Sequence, residues 1–537
     1  MQDSIQVRRK IRRSKTISIK MRLHQLIHCI LLGLSFGTII LLYLTTRFGF
    51  STLLPMLKNA PIHSGVKMLQ ARWNDISGFM IDHCVSHQLR NASRLTEGSS
   101  YIISSQHSQD LAESLNLNLK TAWTSPSPSL FSKEDFENTE FPQFKARIPA
   151  LIHYKNTFLV FCEARFDGLE DWGNMMLSMR RGRQKGREVT WERIRLLASI
   201  SGFRTMNPSP VVDRQSGAIV LVFSAFPTHM NFQDMLIYAG HPLSRVYVMK
   251  SYDIGFTWTD PIDITGSTIG KMNPFPVLYV PGPGHSIQMK CGRLVVPGNM
   301  FTLDRTGKGI INICSNCTNL SNMIYSDDGG TMWHLGAETP SSEDSSGFPI
   351  HPNEVQVAEL EDGTLYMNSR TLNPLHPRAH CYSFDGGRTL SAIQLDMTLV
   401  EPGFKRRNGA WVPSSTGGCA GSVISFGIGH HVKVPTPHRN WLVFSNPVDP
   451  IERVNLGIRL SVDGGHSWSK PWILFPYKSG YSDLVYFETR IGGKLERNFA
   501  VLFEGGSLNY FDHIKFQMFN VQALLKNIYI QKEKEES

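Results

Sequence analysis

Outside its first 22 residues this chain carries little net charge. Of the +10 summed over 537 residues, Arg8, Arg9, Lys10, Arg12, Arg13, Lys15, Lys20 and Arg22, opposed only by Asp3, supply +7 and leave +3 for the rest. A body so nearly balanced lacks the basic field that phosphate backbones require, which argues against nucleic acid as a partner. Cysteine is sparse as well. Of eight, Cys29 falls in an apolar run, and Cys84, Cys162, Cys291, Cys314, Cys317, Cys381 and Cys419 are too scattered for a dense disulfide framework. The pair Cys314-x-x-Cys317 reads as a local disulfide, a redox pair or half a zinc site. No second such pair and no His-x-His accompanies it, which argues against zinc. Acidic residues with EF-hand spacing are also missing, which argues against a calcium loop of that type.

Long apolar runs are absent with one exception. Leu26 to Leu44 form 19 residues without Asp, Glu, Lys or Arg, about the length that crosses a hydrocarbon core. The basic stretch before it places residues 1–25 in the cytoplasm and everything beyond a span at 26–46 in a lumen or outside the cell, a single-pass type II arrangement. A cleaved signal peptide is the competing reading. Its apolar region is usually shorter, and no small-x-small site closes this run before Thr45-Thr46-Arg47. Asn91-Ala-Ser93, Asn316-Cys-Thr318 and Asn319-Leu-Ser321 lie beyond the span as glycosylation acceptors. Residues 47–115, mixed in pattern and partly Ser-rich, read as a stem, 116–527 as the folded body, and 528–537 as a charged tail. Golgi, lysosome and plasma membrane fit equally well, and oligomeric state is not encoded in any recognisable way.

What the body does have is a repeated phrase. Ser251-Tyr-Asp253-Ile-Gly255-Phe-Thr257-Trp258 recurs as Ser326-Asp-Asp328-Gly-Gly330-Thr-Met-Trp333, Ser383-Phe-Asp385-Gly-Gly387-Arg-Thr-Leu390 and Ser461-Val-Asp463-Gly-Gly465-His-Ser-Trp468. Each copy reads as a hairpin connection, in which Asp caps backbone amides, Gly takes positive φ and the last residue plugs the space beneath. The copies start 75, 57 and 78 residues apart, room for one four-stranded propeller blade each. Spread over residues 116–527, six blades receive about 69 residues apiece. The expected fold class is therefore all-β, a six-bladed β-propeller preceded by a transmembrane helix and a stem.

These phrases resemble the Asp boxes of sialidases, which also occur in some receptors and cannot by themselves tell a catalyst from a binder. More specific stretches lie between them. In order they are Arg147-Ile-Pro149, Phe161-Cys-Glu163-Ala-Arg165, Arg204-Thr-Met206-Asn207-Pro208, Gly282-Pro-Gly-His-Ser, Asn353-Glu354, Asn368-Ser-Arg370, Gly418-Cys-Ala-Gly-Ser, Arg453-Val-Asn-Leu-Gly457 and Gly480-Tyr481-Ser-Asp. From about residue 140 to 525 the chain resembles the animal sialidases. The resemblance implies an exo-α-sialidase that releases terminal sialic acid from glycoproteins, glycolipids or oligosaccharides with retention, without a cofactor.

It also implies roles. Arg147, Arg370 and Arg453 would grip the substrate carboxylate through charge-assisted hydrogen bonds, with Arg459 the alternative third member. Beside that carboxylate an acidic nucleophile would meet like-charge repulsion, so neutral Tyr481 attacks and Glu354 withdraws its proton. The proton donor to the leaving oxygen is Asp171 or Asp167 on the loop Phe166-Asp-Gly-Leu-Glu-Asp-Trp-Gly173, and Asp171 is the better fit by spacing from Arg180. Arg165, Met206 and Asn207 are candidates for lining the pocket. Gly298-Asn299-Met300-Phe301 and Ala420 depart from the tyrosines and Gln of cytosolic relatives, which leaves contacts to the far parts of the substrate undetermined. A catalytically inactive sialic-acid binder, a receptor-like Asp-box propeller and a trans-sialidase are the competing functions.

Overall fold

Four strongly apolar segments of the body become second strands buried on both faces. Thr157–Arg165, Leu365–Thr371 and Trp441–Pro447 are buried at every position, and Ile219–Pro227 at all but the last. A strand covered on both sides must lie between stacked sheets, and stacked sheets closing on themselves form a propeller. The computed structural model describes residue 84 and residues 117–132, 144–239, 241–303, 317–407, 410–413, 417–427 and 440–535.

The first sheet runs Lys145–Tyr154, Thr157–Arg165, Met175–Lys185 and Glu188–Trp191 in sequence order, with Arg195–Leu197 on the third strand. The second takes Phe203–Val212, Ile219–Pro227, Arg245–Ser251 and Ile262–Asp263. In the third, Leu278–Pro281, Leu294–Leu303, Cys317–Ser326 and His334–Glu338 pair in order, and Ile287–Gln288 joins Leu294–Leu303. Pro352–Glu359, Leu365–Thr371, Arg378–Ser383 and Gln394–Asp396 make the fourth. The fifth sheet has six strands: Ser422–Phe426, Trp441–Pro447, Val454–Ser461, Trp472–Ile491, Lys494–Gly506 and His513–Asn520. Its 20-residue strand Trp472–Ile491 changes partner along its length, pairing with Val454–Ser461 up to Lys478 and with Lys494–Gly506 from Lys478 on. Every neighbouring pair is antiparallel, as single-chain meanders require.

Inner strands of successive sheets pack on one another, with Leu294–Leu303 of the third sheet meeting Pro352–Glu359 of the fourth, and Lys145–Tyr154 packs on Trp472–Ile491, so the ring closes. The start of the body lies on the last strand, through bridges Thr124 to Phe519 and Ser129 to Lys515 that cover its outer edge. Aromatic and aliphatic side chains fill the wedges between sheets. Phe426, Trp441, Phe499 and Phe519 form one such cluster, and Phe158, Phe487 and Phe516 another.

All four repeated phrases connect the third and fourth strands of a sheet, and they are built alike. In the first, Gly255 N donates to Ser251 Oγ at 2.7 Å, Ser251 Oγ donates to Asp253 at 2.8 Å, and Asp253 accepts Thr257 N at 2.8 Å. The same three bonds recur at Ser326, Ser383 and Ser461. Where the other copies carry Gly329, Gly386 and Gly464 at positive φ, the first forces Ile254 to φ 58°. Trp333 and Trp468 are buried, and Trp258 and Leu390 half-buried, as the plug reading expects.

Two expectations change. Asn319, read as a glycan acceptor, is fully buried, donates to Met300 O at 3.0 Å and accepts from Asn353 at 3.0 Å, so it has no access to a glycan in the folded protein. Cysteine usage is less loose than it looked, because Cys84 and Cys291 form a disulfide across 207 residues and Cys317 is disulfide-bonded as well. Among the described residues no helix is long and apolar enough to cross a membrane. The expected tail, span 26–46, Asn91, Asn316 and all of the stem except Cys84 lie outside the described residues.

Candidate active site

The inner strands lose register where the candidate residues sit. Pairing slips between Arg147 and Ala150, between Met206 and Ser209, between Pro352 and Val355, and between Ser479 and Ser482. A bulge puts an extra residue into one strand and re-aims its side chain. Here the residues inside the slips include Ile148, Asn207, Glu354 and Tyr481, and Arg147 is the last paired residue before the first of them. Two of the bulges carry left-handed backbone, Ile148 at φ 61° and Asn207 at φ 53°, a conformation a β-branched residue adopts only under outside constraint.

For Ile148 that constraint is a carboxylate. Glu504, buried on Lys494–Gly506, accepts Ile148 N at 3.1 Å, Tyr481 N at 3.2 Å and Arg147 Nε at 2.9 Å, with Arg147 Nη2 at 3.3 Å from its other oxygen. One side chain thus fixes an arginine and the backbone on both sides of the ring closure. Desolvation would lower the Arg147 pKa, but Glu504 raises it well above the usual arginine value, so the guanidinium stays charged though buried.

Tyr481, 7% exposed, lies on a floor of Ile148, Cys419 and Ala420. Its hydroxyl donates to Glu354 in a very short contact and accepts from Arg370 Nη1 at 3.3 Å. Arg370 also donates to Glu354 at 2.7 Å and to Gly417 O at 2.7 Å. The Arg147 and Arg453 guanidiniums lie 5.2 and 5.5 Å from the centre of the Tyr481 ring. Burial and then Glu354 push the phenol well above 10 against the pull of three arginines. A phenol so placed ionises only by handing its proton directly to a base, and Glu354 is in contact to take it. Arg453 donates to Gly418 O at 3.1 Å and, among the described residues, has no carboxylate partner. Arg459, the alternative third arginine, donates instead to Ser469 O at 2.9 Å in the strand entering the fourth repeat, away from Tyr481.

The two candidate donors separate. Asp167 turns back into its own loop, accepting Asn174 N at 2.7 Å and Asn174 Nδ2 at 3.0 Å. Asp171 pairs with Arg165 at 2.8 Å, and three-quarters of its side chain remains open to solvent. Protein crowding raises its pKa, but the Arg165 and Arg147 guanidiniums outweigh this and hold the carboxyl below 3.8. The three pocket candidates are all buried and have partners within the protein. Arg165 is 1% exposed, with its guanidinium taken up by Glu163, Asp171 and loop carbonyls. Met206 packs in an apolar cluster with Met175, Phe226 and Val280. Asn207 is buried and gives its backbone N–H to Glu163. The phrase Gly298 to Phe301 supplies backing: Asn299 and Met300 are buried, and Asn353, next to Glu354, donates to Asn299 and Asn319.

The sequence pattern missed Glu504 and Glu163. No motif flags Glu504, which is recognisable only by the distant Arg147 it meets, whereas Glu163 stands in the Phe161–Arg165 motif beside its partner Arg165 but with no role that the motif assigns. Among the described residues, Arg147, Arg165, Arg204, Arg370 and Arg453 lie with Glu163, Asp171, Glu354 and Glu504, five cations against four anions. The site therefore has one cation in excess, suited to an anionic ligand. Below it, Asp483 crosses the axis, accepting Leu151 N at 2.7 Å, His285 N at 2.8 Å, His285 Nδ1 at 2.7 Å and Ser422 Oγ at 2.8 Å. A separate cavity of about 660 Å³, which includes none of the five arginines, lies among the other ends of the inner strands, lined by Leu151, His285, Val357 and Leu484.

A propeller of repeated turns with an arginine-ringed tyrosine at its axis matches the BNR repeat-like domain family over residues 157–494. Its relatives narrow that class. Sialidase-3 of Mus musculus is 32% identical over 439 residues, covering 74% of this chain and 95% of that one. Sialidase-4 of Mus musculus is 29% identical, covering 71% and 91%. Among solved structures, Hadza microbial sialidase Hz136 aligns with a TM-score of 0.53 at 23% identity, over 71% of this chain and 66% of that one. A leech intramolecular trans-sialidase aligns with a TM-score of 0.53 at 16% identity, over 75% and 71%. The chain belongs to the animal sialidase family and with it to the glycoside hydrolases.

Proposed function

We propose that this protein is an exo-α-sialidase that hydrolyses terminal sialic acid from glycoproteins, glycolipids or oligosaccharides with retention. One observation carries the reading: three guanidiniums converge on a buried phenol whose hydroxyl is held by a carboxylate. The substrate carboxylate takes the unpaired charge of Arg453 together with Arg370 and Arg147. Tyr481 Oη then attacks the anomeric carbon while its proton passes to Glu354. The bond to the leaving oxygen breaks as Asp171 donates its proton there, leaving a glycosyl-tyrosine. In the second half, the Asp171 carboxylate removes a proton from water, the water oxygen replaces Tyr481 on the anomeric carbon, and Glu354 returns its proton to the phenolate. Two displacements on opposite faces retain configuration.

The long strand Trp472–Ile491 supports a six-bladed ring. Its first part completes a blade with Ser422–Phe426, Trp441–Pro447 and Val454–Ser461, and its second opens another with Lys494–Gly506 and His513–Asn520. The apolar run at 26–46 and the basic residues before it support a type II membrane anchor, with the catalytic body lumenal or extracellular. The Cys84–Cys291 disulfide accords with that oxidising side.

The test is product stereochemistry followed by proton NMR. The α-anomer of free sialic acid is expected to appear first, and Tyr481→Phe should lower kcat by on the order of 10³-fold or more. An initial β-anomer, or hydrolysis persisting in Tyr481→Phe, overturns the mechanism.

A further inference from the structure

We propose that Glu163, acting through Arg165, is a positioning residue for the proton donor, and that this buried pair sets the shape of the loop 166–173 that carries Asp171. The inference rests on the assignment of Asp171 as donor. Glu163 is wholly buried and Arg165 is 1% exposed. Glu163 Oε2 accepts Arg165 Nε at 2.9 Å and Nη2 at 2.5 Å, while Oε1 accepts Asn207 N, at the bulge of the next sheet, at 2.8 Å. The carboxylate is therefore fixed from two sheets at once.

The far side of the guanidinium grips the loop. Arg165 Nη1 meets Leu169 O at 2.5 Å, Glu170 O at 3.1 Å and Asp171 Oδ1 at 2.8 Å. Elsewhere the loop is pinned only near its ends, by Phe166 N to Asn174 O, Gly173 N to Thr228 O, and Asp167 to Asn174. Residues 170–172 are exposed, with no core of their own to hold them. The middle of the loop thus takes its shape from one planar fork, and the fork takes its position from Glu163.

Charge adds a second effect. With Glu163 ionised, the Arg165 cation is divided between a permanent partner and Asp171. Neutralising Glu163 leaves a buried cation with Asp171 as its remaining carboxylate, which ties Asp171 into that pair and keeps it ionised. An ionised Asp171 cannot donate. The expected defect is therefore in protonating the leaving oxygen, with attack by Tyr481 left intact.

Leaving-group dependence reads that step directly. A 4-nitrophenyl sialoside departs without a proton, whereas 3′-sialyllactose needs one. For Glu163→Gln, kcat/KM on sialyllactose should fall on the order of 10²-fold and on the aryl sialoside by only a few fold, with KM contributing little to either. Asp171→Asn should give the same split, larger. Arg165→Lys, which keeps the charge and loses the fork, should split likewise and decides the matter where Glu163→Gln fails to fold. Equal losses on both substrates in Glu163→Gln and Arg165→Lys, or none, while Asp171→Asn splits them, overturn the positioning role. If Asp171→Asn does not split them, the donor assignment falls and the positioning role falls with it.

Discussion

The turns that repeat and the bulges that do not are built in opposite ways. In the Ser-x-Asp-x-Gly turns, the serine and aspartate bonds reach at most four residues along the chain. At the bulges, partners lie far apart: Arg147 and Glu504 are 357 residues apart, Glu354 and Tyr481 127. A local network forms whenever its own sheet forms. A long-range one exists only once the ring has closed, so the site depends on the whole fold while the turns support it piece by piece.

Cutting each network should therefore give different results. The largest effect is expected at Glu504, the carboxylate that spans the closure. Glu504→Gln removes the buried partner of Arg147, and kcat/KM together with the affinity of a carboxylate-bearing inhibitor should fall on the order of 10²-fold. A change under threefold in both would mean that Arg147 holds its place without Glu504.

The next effect is in pH. Asp171 feels Arg165, Arg147 and Arg204, with Glu163 behind them, and in the free protein its pKa is below 3.8. The form that donates a proton is the neutral one, whose share shrinks as pH rises. kcat/KM should therefore decline towards neutrality, by about tenfold per unit where Asp171 alone limits. The substrate carboxylate offsets the arginines once bound, so the kcat profile should break at higher pH. A kcat/KM that is flat between about pH 4 and 7 contradicts the donor's free-state pKa.

The smallest effect belongs to the turns. Asp253→Ala removes caps for Thr257 N and for the Thr257 and Ser251 hydroxyls, and should cost about 1 kcal/mol, read as a drop of about 1 °C in Tm. kcat/KM should not move. Loss of activity without loss of Tm would place this turn in the chemistry and erase the contrast.

The same contrast explains what could be read from the chain. Turn chemistry is written in eight consecutive residues and repeated four times, so the scaffold and the plug positions were legible. Tyr481, Glu354 and the three arginines were legible through motifs. Glu504 was not, since nothing near it in sequence indicates Arg147, and Glu163 was visible only as a motif member, because its hold on the loop through Arg165 and on Asn207 depends on the fold. For Arg165 the motif marks a place near the site, and only the structure shows that its buried guanidinium also holds the loop. Asn319 looked like an acceptor because a three-residue pattern carries no information about depth.

The continuous strand Trp472–Ile491 has a kinetic consequence. Tyr481 stands midway along a 20-residue strand that is paired on either side of its bulge, with its backbone N–H held by buried Glu504, whereas Asp171 hangs from an exposed loop held at its centre by one side chain. The attacking atom moves only as the sheet moves, and the adjustable half of the reaction is proton delivery. Solvent viscosity or a binder that stiffens the loop would then alter how fast leaving groups are protonated while leaving the aim of the nucleophile untouched.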